Sequence, residues 1–144
     1  MGGLSTVGYE GRTVDDLITA LGADGVEILV DVRLTPLSRK PGLSKNRLVS
    51  RLCAAGIDYL HLPQLGNPRD NRDAYRRGDC AAVATYRAVL ETPEGKAALD
   101  DLLLLVTRKH VALLCFEHDA ARCHRSMVAD ALVKAGAVTA VTHL

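Results

Sequence analysis

Carboxylates, arginines, cysteines and histidines recur in short clusters along this sequence. The first is Gly8-Tyr9-Glu10-Gly11-Arg12 and the second Val30-Asp31-Val32-Arg33. Two more, Cys115-Phe116-Glu117-His118 and Cys123-His124-Arg125, lie close together near the end. Glu10, Asp31 and Glu117 are candidate general acids or bases, and His124 can share that work. Arg12, Arg33, Arg39, Lys45 and Arg125 are candidate anion ligands, because the guanidinium fork matches phosphate and carboxylate oxygens. Tyr9, Ser38, His61 and Cys115 complete the set as substrate contacts. Carboxylates beside arginines keep low pKa values unless they are buried. Glu117, next to Cys115 at the end of an apolar run, is therefore the one expected to shift.

The sulfur chemistry leaves alternatives open. Cys123, beside His124 and Arg125 near a helix start, is a candidate low-pKa thiol and nucleophile. Cys115, His118, Cys123 and His124 offer thiolate and imidazole ligands within ten residues, with His61 as a further histidine. Their spacing matches no standard zinc ribbon or finger. The sequence requires no cofactor, and a transition metal at Cys115, Cys123 and His124 stays an open possibility. Cys53 occupies a core-facing helical position and reads as inert packing.

These clusters must be held by regular elements. Leu4 to Gly8 reads as a strand, and Thr13 with Asp16 as the capping box of a helix carrying Val14, Leu17, Ile18 and Leu21 up to Gly22. Ile28 to Val32 is almost wholly apolar, as in a strand covered on both faces. Ser44 opens a helix that buries Leu48, Val49, Leu52 and Cys53 and stops at Gly56. Strands follow at Ile57 to Leu62, His110 to Phe116 and Val138 to His143. Helices span Cys80 to Leu90, Pro93 to about Thr107 with Thr92 as cap, and Arg122 to Ala135.

Strands separated by helices imply one three-layer α/β domain over residues 1–144, with a mostly parallel sheet of about five strands flanked by helices. Ligands of such sheets bind outside the carboxyl ends of the strands, where every cluster above falls. Asp31 and Arg33 should share a strand face and could simply pair; Cys115 and Glu117 should share another. Cys123 and His124, in register with the apolar stripes of the last helix, should point to the end of the fourth strand. Residues 66–79 hold four arginines and three aspartates. That stretch reads as a mobile loop of the kind used as lids or binding loops.

Composition bounds the function. The chain has 144 residues, with 18 Lys plus Arg against 17 Asp plus Glu and a net charge of +1. Near-neutrality argues against coating nucleic acid or membrane by bulk charge. With no Trp and one Phe there is no row of stacking aromatics for single strands. The longest apolar run, Leu102 to Val106, is too short for a membrane span, and no leader pattern opens the chain. Four dispersed cysteines suit free thiols in a reducing cytoplasm. Neutrality is an average, however. Val32 to Ile57 is a 26-residue stretch without an acidic residue, and its Pro36-to-Gly42 loop runs into the Ser44 helix. Arg39, Lys45 and the free N–H groups of that helix start would suit a phosphate or carboxylate.

Taken in order, the motifs at 8–12, 30–33, Ser38-Arg39-Lys40-Pro41-Gly42 with Lys45, Tyr59-to-Pro63 with Leu65-Gly66, Leu114-Cys115 with Glu117, and 123–125 resemble the bacterial and archaeal family called domain of unknown function 488. The resemblance covers nearly the whole chain. It implies a single small α/β domain whose motif residues form the site, and it brings no reaction with it. Leu43 stands where an aromatic is common. The Val-Asp-Val-Arg strand end is also similar to rhodanese-type sulfurtransferases, whose cysteine opens an anion-binding loop. Here six residues, Glu117 and Asp119 among them and no glycine, separate Cys115 from Arg122. That spacing also fails the loop of cysteine-dependent phosphatases.

The expected function is an enzyme, of hydrolase or transferase type, acting on a small anionic or nucleotide-like ligand by carboxylate acid–base chemistry. The alternatives are a nucleic-acid or anion-binding module, and cysteine-dependent or metal-dependent chemistry.

Overall fold

Alternation along the strands decides which helices cover which face of the sheet. The computed structural model describes residues 2–144. Its strands are β1 (Gly3–Gly8), β2 (Ile28–Asp31), β3 (Asp58–His61), β4 (His110–Cys115) and β5 (Thr142–His143). The helices are α1 (Val14–Asp24), α2 (Lys45–Ala54), α3 (Arg72–Arg76), α4 (Cys80–Glu91), α5 (Pro93–Val106) and α6 (Arg125–Lys134). Val7, Leu29, Ala112 and Leu114 pack on Leu17 and Leu21 of α1 and Leu48 and Leu52 of α2. Leu4, Ile28, Val30, Val111 and Leu113 point the other way, onto α4, α5 and α6. Because both faces are covered, all four β2 residues are buried, which is why Ile28, Leu29 and Val30 read as an unbroken apolar run ahead of Asp31. The protein is thus the three-layer α/β domain implied by its sequence.

All strands are parallel, in the order β3-β2-β4-β1-β5. This order locates a crevice at the strand ends. β4 leads to α6 on one face, while its neighbours β1 and β2 lead to α1 and α2 on the other. The loops leaving these strands part above the end of β4, and that divergence opens a crevice at the switch point.

Several boundaries differ from the sequence reading. Helix α1 runs past Gly22 to Asp24, because Gly25 (φ 75°) is the residue that adopts the left-handed closing conformation. Helix α6 begins at Arg125. Before it, Asp119 accepts the Ala121 N–H at 3.0 Å and tightens Ala120–Arg122 into a 3-10 turn, leaving Cys123 extended. β5 contains only Thr142 and His143, which pair with Ser5 and Thr6. Residues 66–79 carry a 3-10 turn (Arg69–Asn71) and α3. Buried Tyr75 and the bond from Asn71 Nδ2 to the Ala82 carbonyl, 3.0 Å, dock this stretch on α4. Cys53 faces solvent, since α2 buries Leu48 and Leu52 instead. The Thr13–Asp16 capping box and the Thr92 cap with Pro93 form as expected.

Gly8 is required by packing at the crevice. A Cβ there would lie 1.8 Å from the Glu117 carbonyl oxygen, so only glycine lets the exits of β1 and β4 approach. Gly22, by contrast, has open space around it within its helix. Gly8→Ala is expected to lower unfolding free energy by about 1–3 kcal/mol through overpacking. Gly22→Ala should raise it by roughly 0.5–1 kcal/mol. Urea denaturation of the two variants measures both signs.

Candidate active site

Beneath the crevice lies a buried ion pair. Asp31 Oδ1 accepts from the Arg33 backbone N–H at 3.0 Å and from Arg33 Nε at 2.9 Å; Oδ2 accepts from Arg33 Nη2 at 2.7 Å and Tyr59 Oη at 2.5 Å. Arg33 Nη1 donates to the Leu43 carbonyl at 2.7 Å, and the guanidinium sits 5.4 Å from the centre of the Tyr9 ring. His61 Nε2 donates to the Arg33 carbonyl at 2.8 Å. Burial opposes the charge on Arg33, but the hydrogen bonds and charge of Asp31 outweigh it and hold the guanidinium pKa above its ordinary value. Burial, then the bond to Asp31, pushes the Tyr59 phenol up. Asp31 and Arg33 therefore pair, and every strong acceptor direction of Asp31 is occupied.

Above the pair is a pocket of about 210 Å³, reached by Tyr9, Arg33, Cys115, Glu117, Cys123 and His124. Glu117 has a side chain 11% exposed, and its Oε1 receives Arg76 Nη2 at 3.1 Å. Its pKa is shifted downward: burial pushes it up, but hydrogen bonds from the Cys123 side chain, its own backbone and Arg76 prevail. Glu117 is held as a carboxylate. Burial and the neighbouring Cys115 push the Cys123 thiol well above its ordinary value, against the low-pKa alternative left open by the sequence.

His124 donates from Nε2 to the Val32 carbonyl at 2.8 Å, so in the neutral ring Nδ1 is the nitrogen with the lone pair. That nitrogen lies 3.7 Å from Cys115 Sγ and 3.8 Å from Cys123 Sγ. Cys115, His124 and Cys123 meet at the end of β4 as the stripe argument implied, with Cys123 contributed by an extended residue.

The remaining candidates lie elsewhere. Exposed Glu10 accepts the His118 N–H at 2.9 Å and ties the exits of β1 and β4 together. Fully buried Arg125 donates to the Glu117 and His118 carbonyls at 2.6 and 3.2 Å. Ser38, Arg39 and Lys45 line a separate hollow on the 36–47 loop, and the Lys45 N–H is taken by the Pro36 carbonyl at 2.9 Å. Arg12 lies outside both, its carbonyl receiving Lys40 Nζ at 3.0 Å. Besides Arg33, the arginines that reach the pocket are Arg72, Arg76 and Arg122, which the sequence reading did not single out. Arg72 and Arg76 stand four apart, which would have placed them on one face of a helix.

The backbone after Cys115 is tied to its neighbours chiefly through its carbonyls. The carbonyls of Cys115 and Phe116 accept the N–H groups of Tyr9 and Glu10, those of Glu117 and His118 accept Arg125, and the His118 N–H is given to Glu10. What converges here is a carboxylate, an imidazole, two thiols and a rim of arginines.

Fold and pocket define a parallel α/β domain with a polar site at its topological switch point. The chain belongs to the family described as domain of unknown function DUF488, which matches residues 13–132; the Gly8–Arg12 motif precedes the matched span. No curated protein and no solved structure matches the chain. No helix among the described residues is long and apolar enough to cross a membrane.

Asp31→Asn is expected to cost about 3–5 kcal/mol, because it leaves Arg33 charged and buried. Glu117 sets an acid-side dependence. Its folded pKa lies below its unfolded one, so its stabilisation is complete above the unfolded value, about pH 4.3, and is lost as pH falls through the folded value. The stability gap between wild type and Glu117→Gln, measured by urea denaturation across pH, should close on acidification.

Proposed function

We propose that this pocket binds the anionic end of a phosphorylated or carboxylated substrate and that Glu117 acts there as general base. The observation that carries the reading is the placement of a buried, ionised Glu117 among Arg72, Arg76 and Arg122 at one pocket. A carboxylate held ionised at neutral pH is ready to take a proton from a substrate hydroxyl or a water. Arg72 forms no ion pair among the described residues, so its guanidinium is free to hold an anion. Asp31 and His61 then act as positioning residues, since their contacts fix Arg33. Hydrolase or transferase chemistry fits a base and an anion clamp with no second ionised carboxylate lining the pocket.

A pocket of about 210 Å³ falls below the roughly 300–1,000 Å³ usual for drug-sized ligands, which favours entry of the anionic end alone. A nucleotide-like ligand would leave its base outside. The four cysteines are free thiols, which suits a cytoplasmic setting. A second reading, nucleic-acid binding without turnover, is favoured by one observation. A neighbouring hollow lined by Arg39, Arg69 and Arg72 runs from the basic loop to the pocket rim, a path for a phosphate backbone.

Orthophosphate and a nucleoside 5′-monophosphate should each raise the thermal midpoint of the wild type. In Arg72→Ala/Arg76→Ala the affinity should fall tenfold or more, as expected when charge-assisted bonds of about 1.5–3 kcal/mol are lost. Glu117→Gln should keep anion binding and lose turnover. An unchanged midpoint in the wild type, or an unchanged response in the double variant, contradicts the reading. Tight binding of oligonucleotides with a steep salt dependence and no response to small anions would favour the second.

A further inference from the structure

Two sulfurs and one imidazole nitrogen meet on the wall of the pocket. The ligand atoms of Cys115, Cys123 and His124 lie within 4.8 Å of one another, with Nδ1 to sulfur distances of 3.7 and 3.8 Å. A tetrahedral zinc ion with bonds of about 2.3 Å to sulfur and 2.0–2.1 Å to nitrogen places its ligand atoms roughly 3.5–3.8 Å apart. Small side-chain adjustments would therefore close the three groups on one ion. The second observation is independent. His124 Nε2 donates to the Val32 carbonyl at 2.8 Å, the outer-shell bond that fixes the tautomer of a metal-bound histidine and turns Nδ1 to the metal.

We propose that Cys115, Cys123 and His124 form a three-ligand site for a thiolate-preferring divalent metal, Zn²⁺ above all, with its fourth position open to the pocket. All three residues line that pocket together with Glu117, so the free coordination position is supplied by the cavity itself. Binding breaks two S–H bonds, forms two sulfur–metal bonds and one nitrogen–metal bond, and releases two protons per ion, with no electron transferred. Two thiolates and a neutral imidazole cancel the charge of the ion, so the buried site is electrically neutral when loaded. A three-ligand set with an open position is the pattern of a catalytic site, whereas structural zinc is closed by four protein ligands. Metal binding stands on this geometry alone. Its part in a reaction rests on the pocket reading above, because Glu117 lines the same cavity.

The test uses Cys53→Ser/Cys80→Ser, which alters only exposed positions and leaves Cys115 and Cys123 as the sole thiols. Titration of this reduced protein with Co²⁺ should give one ion per chain, a near-ultraviolet thiolate-to-cobalt band and the intense visible bands of tetrahedral cobalt. Zn²⁺ should abolish both, and two protons should be released per ion. Adding Cys115→Ser, with the fold verified by circular dichroism, should remove most of the thiolate band. Absence of thiolate bands in the Cys53→Ser/Cys80→Ser protein overturns the proposal, as does a Cys115–Cys123 disulfide forming in preference to metal retention. Cobalt bands in a protein that ignores phosphate would refute the anion reading and uphold the metal site. A phosphate response without cobalt bands would do the reverse.

Discussion

Asp31 is excluded from solvent and receives four hydrogen bonds, three of them from Arg33 and one from Tyr59. Taking two charges out of water costs several kcal/mol per ion, and only near-ideal geometry with saturated hydrogen bonding offsets it. That geometry reaches four segments. Arg33 holds the Leu43 carbonyl, which secures the end of the 34–43 loop, and lies against Tyr9 from the exit of β1. Tyr59 and His61 bring the end of β3 to the same centre. We assign this pair to specificity of arrangement: it gives the strand ends one packing and so sets the floor of the pocket.

A second constraint acts across β4. Carbonyls from Cys115 to His118 are each occupied, by Tyr9, Glu10 and Arg125, and Gly8 lets the two strand exits touch. Cys115 and Glu117 are thereby presented from a rigid base. The cationic rim is built differently. Arg76 and Arg122 extend from a five-residue helix and a 3-10 turn, with side chains 42% and 66% exposed. The base of the pocket is thus fixed by the backbone, while its rim is made of long, solvated side chains.

Much of this was legible in the sequence, for physical reasons. Buried parallel strands write themselves as apolar runs, and Thr13 and Thr92 announce helix starts through their caps. The rule for parallel sheets then located the site at the strand ends, and the meeting of Cys115 with His124 followed from helix periodicity. What failed was partner choice. Parity put Asp31 and Arg33 on one face, but it could not show that Tyr59, from β3, would complete the lock. Arg125 reads like an anion ligand until Glu117 and His118 supply carbonyls to it. Arg72 and Arg76 sit in a polar stretch without apolar periodicity, held by the few contacts of Tyr75 and Asn71, so nothing local signalled a helix. The same loss of signal moved the start of α6, where a 3-10 turn interrupts the stripe.

Two hollows carry basic side chains and could serve the proposed anion: the pocket beside Glu117, and the one lined by residues 36–47 with Arg39 and Lys45. Anomalous diffraction from crystals soaked in tungstate, a heavy tetrahedral oxyanion, separates them directly. The account predicts the strongest anomalous peak within hydrogen-bond distance of Arg72 and Arg76, beside Glu117. A peak confined to Arg39 and Lys45, with the Glu117 pocket empty, would contradict it.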